Sequence, residues 1–177
     1  MTIKQAEKIL LSKYNLKGII FKLPGEIDSN FKITTEKNEK FVLKISPINQ
    51  NENYLYFQQH LLSFLHAKKS KLTIPRIIKD TNGNQTSCYK DSDNTKRKVR
   101  LLTWISGRVW SSITPQSNHL RFNLGEKCGE LTTELLKFTH PIAERKFDWD
   151  IAQSLWTTKY LHLFSDEKKE IISSFQH

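Results

Sequence analysis

No run of about 18 apolar residues occurs in this 177-residue sequence, so no segment reads as a membrane-spanning helix. The N-terminal stretch, MTIKQAEKILLSKYNL, lacks the long apolar core and small-residue cleavage site of a signal peptide. Cysteine is scarce: Cys88 and Cys128 are the only two, with no CxxC spacing and no histidine pair beside them. That excludes a disulfide framework and a zinc site, and it points to reduced thiols in a cytoplasmic protein. Internal repeats and low-complexity tracts are absent as well. What remains is an ordinary globular composition, 37% hydrophobic and 26% charged, long enough for one domain or two unequal lobes around a real core.

The formal charge of +10 raises the question of nucleic acid. Lysine outnumbers arginine, and the positive residues are scattered. Their local clusters are Lys68-Lys69-Lys71, Lys96-Arg97-Lys98-Arg100 and Lys168-Lys169. None is set in an RNA-recognition, KH or helix-turn-helix pattern. The second cluster runs straight into an apolar strand and reads as its charged beginning. Solubility explains such a composition better than a nucleic-acid partner does.

Periodicity gives the coarse structure. Residues 2–14 carry Ile3, Ala6, Ile9 and Leu10 at helical spacing, with Thr2 as a cap. Strands follow at GIIFKL, FKITT and FVLKI, then a helix over 52–67 with Leu55, Gln58, Leu62 and Leu65 on one face. Next come an extended RIIKD, a Thr81-Asn82-Gly83-Asn84 turn, a strand at 87–90 and another at 99–105. The order predicts an α+β lobe with an antiparallel sheet and a packed helix. Beyond Gly107 the pattern turns helical. Leu120, Leu124, Cys128, Leu131, Leu135 and Phe138 share a face, and Gly125 and Gly129 leave room for a close neighbour. Two more helices are expected, over 151–164 and from Ser165 to the last residue, with a lobe boundary between Ser106 and Pro115.

Leu23 to Ile45 is the most informative stretch. A polar loop with Gly25, Asp28, Ser29 and Asn30 precedes two runs of period two. Val42 and Lys44 share a face of the second run. A lysine inside a strand must reach water or an anion. A nucleotide phosphate under the loop is one such anion, with Val42 roofing the base. A hairpin lysine extending to solvent is the simpler alternative.

LPGEIDSNF, FVLKI, VRLLTWISGR and LGEKCGELTTELLKFTHP followed by FDWDI resemble, in that order, the aminoglycoside phosphotransferase family and its hydroxylysine kinase-like branch. The resemblance implies a protein-kinase-like fold: a nucleotide-binding N-terminal lobe over 1–106, then over 107–177 the first helices of an incomplete helical C-terminal lobe. It implies transfer of the γ-phosphoryl of ATP or GTP, with Mg²⁺, to a hydroxyl of a small amine, an amino alcohol or a hydroxylated amino acid such as hydroxylysine. By position, Lys44 holds the α/β-phosphates and the backbone of Gly25, Asp28, Ser29 and Asn30 covers them. Leu102 and Val42 line the base pocket, and Thr103, Trp104 and Ile105 form the hinge that bonds adenine. Gln58 stands where a helix glutamate normally pairs with the lysine, Glu52 being a weaker fit.

The same resemblance makes one absence important. A kinase of this kind needs a His-x-Asp loop with an asparagine about five residues on and a further metal-binding aspartate. His119, His140 and His162 are followed by Leu-Arg, Pro-Ile and Leu-Phe, and the sequence ends at His177 without the pattern. Asp148-Trp149-Asp150 reads as a helix cap with a packed Trp rather than a metal pair. The expectation is a chain that binds nucleotide but does not catalyse transfer alone. Leu155, Trp156, Leu163, Phe164, Ile171, Ile172 and Phe175 would sit on uncovered faces and favour self-association. A non-catalytic nucleotide-binding remnant and a basic nucleic-acid-binding module stay open beside the kinase reading.

Overall fold

The computed structural model describes residues 1–91, 94–144 and 150–175. The chain divides into two compact units, Met1–His140 and Pro141–His177. Residues 107–140 thus belong to the same unit as the sheet.

In the first unit, helix α1 (Ile3–Tyr14) starts at a reciprocal capping box. Thr2 Oγ1 accepts from the Gln5 N–H, and Gln5 Oε1 accepts from the Thr2 N–H. Asn15, in the left-handed region at φ 51°, ends it. Strands β1 (Ile19–Leu23), β2 (Ser29–Thr34) and β3 (Lys40–Ile45) form an antiparallel meander. Helix α2 (Glu52–Ala67) follows, capped by Asn51, whose side chain accepts from the Asn53 N–H at 3.0 Å. Strands β4 (Ile77–Ile78), β5 (Ser87–Lys90) and β6 (Lys96–Thr103) complete the sheet. Its order is β1-β2-β3-β6-β4, with β5 also paired to β6. β6 begins at Lys96, earlier than the expected 99. The β5–β6 hairpin pairs Lys90 with Lys96, and Asp91 supplies a carboxylate 3.3 Å from Arg97 Nε.

Alternation along the strands sorts the sheet into two faces. One presents Phe31, Ile33, Leu43, Ile45, Val99 and Leu101, all buried against Ala6, Ile9, Leu10 and Tyr14 of α1. Each fully buried side chain of this size contributes about 1.5–3 kcal/mol, which makes this two-layer core the main source of stability. The other face carries the polar row described below. Helix α2 buries Leu55, Gln59 and Leu65, so its inward stripe includes Gln59, with Gln58 and Leu62 half-buried at its margin.

Helix α3 (Asn118–Leu135) is capped by Ser117 and buries no residue. Leu124, Leu131 and Cys128 on its expected inner face are exposed, and nothing lies within 4 Å of a side chain added at Gly125 or Gly129. The segment after it returns to α2 through rings: Phe138 is 5.1 Å from Phe64, and His140 is 5.2 Å from Phe57, centroid to centroid.

In the second unit, Ile151–Leu163 forms 3-10 turns with a non-helical Gln153, where an α-helix was expected. An isolated short helix draws its stability mainly from burying one face, and this segment buries no residue. Asp150 accepts from the Ala152 N–H at 3.0 Å. Helix α4 (Asp166–Ser174) ends short of the chain terminus. Asp148 and Trp149 lie outside the described residues.

Candidate nucleotide site

The strand register builds the site. Asn30 pairs with Lys44, and Lys44 with Arg100, so three neighbouring strands set Asn30, Lys44 and Arg100 side by side on the face away from α1. Two residues along, Lys32, Val42, Leu102 and Ile77 form the next row. Val42 and Leu102 therefore stand opposite each other as an apolar floor beside the polar row. Ser29 falls on the core face by the same alternation, so only its backbone serves the site.

The loop between β1 and β2 folds down onto Lys44. Asn30 Nδ2 donates to the Pro24 carbonyl at 3.3 Å, while Asn30 Oδ1 accepts from Lys44 Nζ at 3.1 Å. Gly25 is required here by close approach: a Cβ would run into the Asp28 carbonyl and the Asn30 amide. Lys44 Nζ also lies 3.1 Å from Asp28 Oδ2, and Arg100 Nη2 lies 3.0 Å from that same oxygen. Arg100 Nη1 donates to the Gln58 side-chain oxygen. A cavity of about 210 Å³ opens among Asp28, Asn30, Lys44, Gln58 and Arg100.

Arg100 is only 4% exposed, and its Nε has no partner among the described residues. Burial draws the guanidinium below its ordinary value, and Asp28 is the strongest influence holding it up. Both cations thus depend on one carboxylate oxygen.

Gln58 is in the site, but the expected bond to Lys44 is not made. Its side chain serves Arg100, and the carboxylate beside Lys44 comes from the loop, as Asp28. Glu52 pairs with Lys98 at 2.8 Å, away from Lys44. The hinge also differs in detail. The Thr103 N–H donates to the Arg76 carbonyl at 2.9 Å, and the Trp104 N–H to the Lys40 carbonyl at 3.0 Å. Neither amide is free for a base, whereas Ile105 makes no such backbone bond among the described residues. Lys32 Nζ lies 4.5 Å from the centre of a Trp104 ring.

Arg100 was hidden inside a basic cluster that reads as a charged strand beginning. Its signal was alternation: in VRLLT, Val99 and Leu101 face the core, which places Arg100 on the same side as Leu102. The donors fit an anionic phosphate. For Mg²⁺ the fit fails, because no group of three His, Cys, Asp or Glu able to hold a metal occurs among the described residues.

The sheet, the helix beside it and the strand lysine under a loop define a protein-kinase-like fold. The model of the phosphotransferase enzyme family (APH) matches residues 22–171, and the chain belongs to that family. Among solved structures, it is similar to an amicoumacin kinase in complex with AMP-PNP, Ca²⁺ and Ami. The TM-score is 0.68 at 13% identity, over 99% of this chain and 52% of that one. It is also similar to a microcompartment-associated aminopropanol kinase, with a TM-score of 0.66 at 15% identity, over 90% of this chain and 49% of that one. The chain spans about half the length of each. No curated protein matches the sequence.

Proposed function

We propose that this chain forms the nucleotide-binding portion of an ATP- or GTP-dependent small-molecule kinase. Its acceptor class is a hydroxyl of an amine, an amino alcohol or a hydroxylated amino acid such as hydroxylysine. Residues 1–106 are the nucleotide-binding lobe, and 107–177 begin the helical lobe. The observation that carries the reading is Lys44, held by Asp28 and Asn30 beside a cavity under the β1–β2 loop, in a member of the phosphotransferase family. The adenine nucleotide in the amicoumacin kinase complex and the amino alcohol in the name of the second relative support the two substrate classes.

In this reading Lys44 neutralises the α/β-phosphates, and the backbone of Gly25, Asp28, Ser29 and Asn30 covers them. Val42 and Leu102 pack on the base, and the Ile105 amide reaches its edge. Phosphoryl transfer is catalysed by positioning and charge stabilisation. With no His-x-Asp loop among its 177 residues, the chain by itself is expected to bind nucleotide and leave the acceptor unphosphorylated. A second reading, carried by the same Lys44 site, is a nucleotide-binding protein without catalysis.

Calorimetric titration with ATP tests the proposal. Wild type should bind, and Lys44→Ala should lose roughly tenfold or more in affinity through the missing charge-assisted contact. Equal affinity in the two proteins overturns the phosphate role of Lys44. Joining the chain to a helical lobe that carries the His-x-Asp loop separates the two readings, since only the first predicts phosphorylated product.

A further inference from the structure

The polar row carries two cations and one anion, and the anion is shared. Lys44 Nζ at 3.1 Å and Arg100 Nη2 at 3.0 Å contact the same oxygen, Asp28 Oδ2. The two cations are not equivalent. The Arg100 side chain is 5% exposed and fixed at its other end by Gln58, whereas the Lys44 side chain is 30% exposed at the cavity. A buried guanidinium cannot follow a ligand outward, but a half-exposed lysine can turn toward one.

We propose that Asp28 is a resident anion on the phosphate site, and that Arg100 is the positioning residue that retains Asp28 when a phosphate takes over Lys44. The inference rests on the nucleotide reading given above. Lys44, Arg100 and Asp28, counted apart from Glu26 that also lines the cavity, sum to one positive charge, so an incoming phosphate completes two cation–anion pairs. The covering loop brings Asp28 to the site through the Asn30–Pro24 and Asn30–Lys44 bonds, so the loop carries the competitor of the ligand it covers. Arg100 does not touch the nucleotide. It sets how firmly Asp28 holds Lys44.

The charge count fixes the direction of each substitution. Asp28→Asn removes the competitor and raises the local charge to two, so phosphate binding tightens. Arg100→Met leaves Asp28 wholly on Lys44 and brings the site to zero, so binding weakens. The double variant returns the site to one positive charge. Asp28→Glu keeps the competitor, so it separates charge from shape.

The test is calorimetric titration of the full chain with ATP and, separately, with inorganic tripolyphosphate, both without Mg²⁺. Asp28→Asn should bind roughly tenfold more tightly than wild type and Arg100→Met roughly tenfold more weakly, with the double variant near wild type. Asp28→Glu should stay within about threefold of wild type, a shift a charge-conserving change leaves below one tenfold step. A merely structural role for Arg100 would not produce restoration by a second substitution. If Arg100→Met does not fold, the equally neutral Arg100→Gln takes its place with the same expected direction, and Asp28→Asn and Asp28→Glu decide the role of Asp28. Weaker binding by Asp28→Asn overturns the proposal, even where ATP binding still depends on Lys44 and the nucleotide reading stands. Tripolyphosphate affinities in the expected order, with ATP no tighter than tripolyphosphate, support the exchange and remove the nucleotide reading. Absence of binding by both ligands to wild type overturns both.

Discussion

Asp80 shows how one carboxylate seats a turn. Its Oδ1 accepts from the N–H groups of Asn82 at 2.9 Å and Asn84 at 2.8 Å, and its Oδ2 from Ser87 Oγ at 2.8 Å. The neighbouring Thr81 N–H donates to the Lys13 carbonyl at the end of α1, at 2.8 Å. Burial alone would raise the Asp80 carboxyl, but the bonds from Asn84, Ser87 and Asn82 overcome it and hold it below the ordinary value. A depressed carboxyl adds stability that is fully present above the unfolded-state value, about 3.9, and lost as pH falls through the folded one. Asp80→Asn leaves the buried Ser87 hydroxyl without its charged acceptor and should cost about 1–3 kcal/mol at neutral pH. In urea denaturation the gap between wild type and variant should narrow below pH ~4. A gap constant with pH contradicts the assignment. The sequence suggested this turn through Thr81-Asn82-Gly83-Asn84, yet it held no sign that Asp80 would gather the bonds, because Ser87 reaches it only across the finished hairpin.

At the scale of elements, the strands and the helices at Asn118–Leu135 and Asp166–Ser174 were legible, and the 3-10 character of Ile151–Leu163 was not. Period-two alternation is fixed by strand geometry itself, so GIIFKL, FKITT and FVLKI announced a meander and placed Val42 on the face of Lys44. Partners are a different matter. Gln58 was matched to Lys44 by spacing, but the choice between Lys44 and Arg100 depends on the β3–β6 register, which no local pattern carries. Helical spacing over 151–164 suggested an α-helix, but spacing alone cannot supply a surface to bury against. The β1–β2 loop yields a sharper expectation. Gly25→Ala forces the loop away from Asn30 and the Asp28 carbonyl, an overpacking that costs about 1–3 kcal/mol if the backbone stays put. Gly25 itself is exposed, so the loop should shift instead. The thermal midpoint should change little while ATP affinity falls, and unaltered affinity would place the loop outside the phosphate site.

For the whole molecule, the notable surface belongs to the second unit. Ile151, Leu155, Leu163, Ile171 and Phe175 are each more than half exposed. Apolar area costs about 25 cal/mol per Å² to leave in water, so several such side chains favour association. Sedimentation of the 177-residue chain should show a mass that grows with concentration, and a monomer across the range removes the expectation. The α+β fold and its resemblance were readable across nearly the full length, because the ordered set of motifs spans both the sheet and the helices after it. The ring contacts of Phe138 and His140 with α2 were not, since they are made across the fold.

The pairing of β3 with β6 also bears on how the molecule assembles. β1, β2 and β3 join through short turns, but β6 reaches β3 only after α2, β4 and β5 have been threaded between them. Closing such a long loop is entropically expensive, and non-local pairings of this kind set the pace of folding. Lys44 and Arg100 face each other across that same seam. The two positive charges therefore meet across a long-range pairing, and Asp28, on the loop of the local β1–β2 hairpin, contacts both.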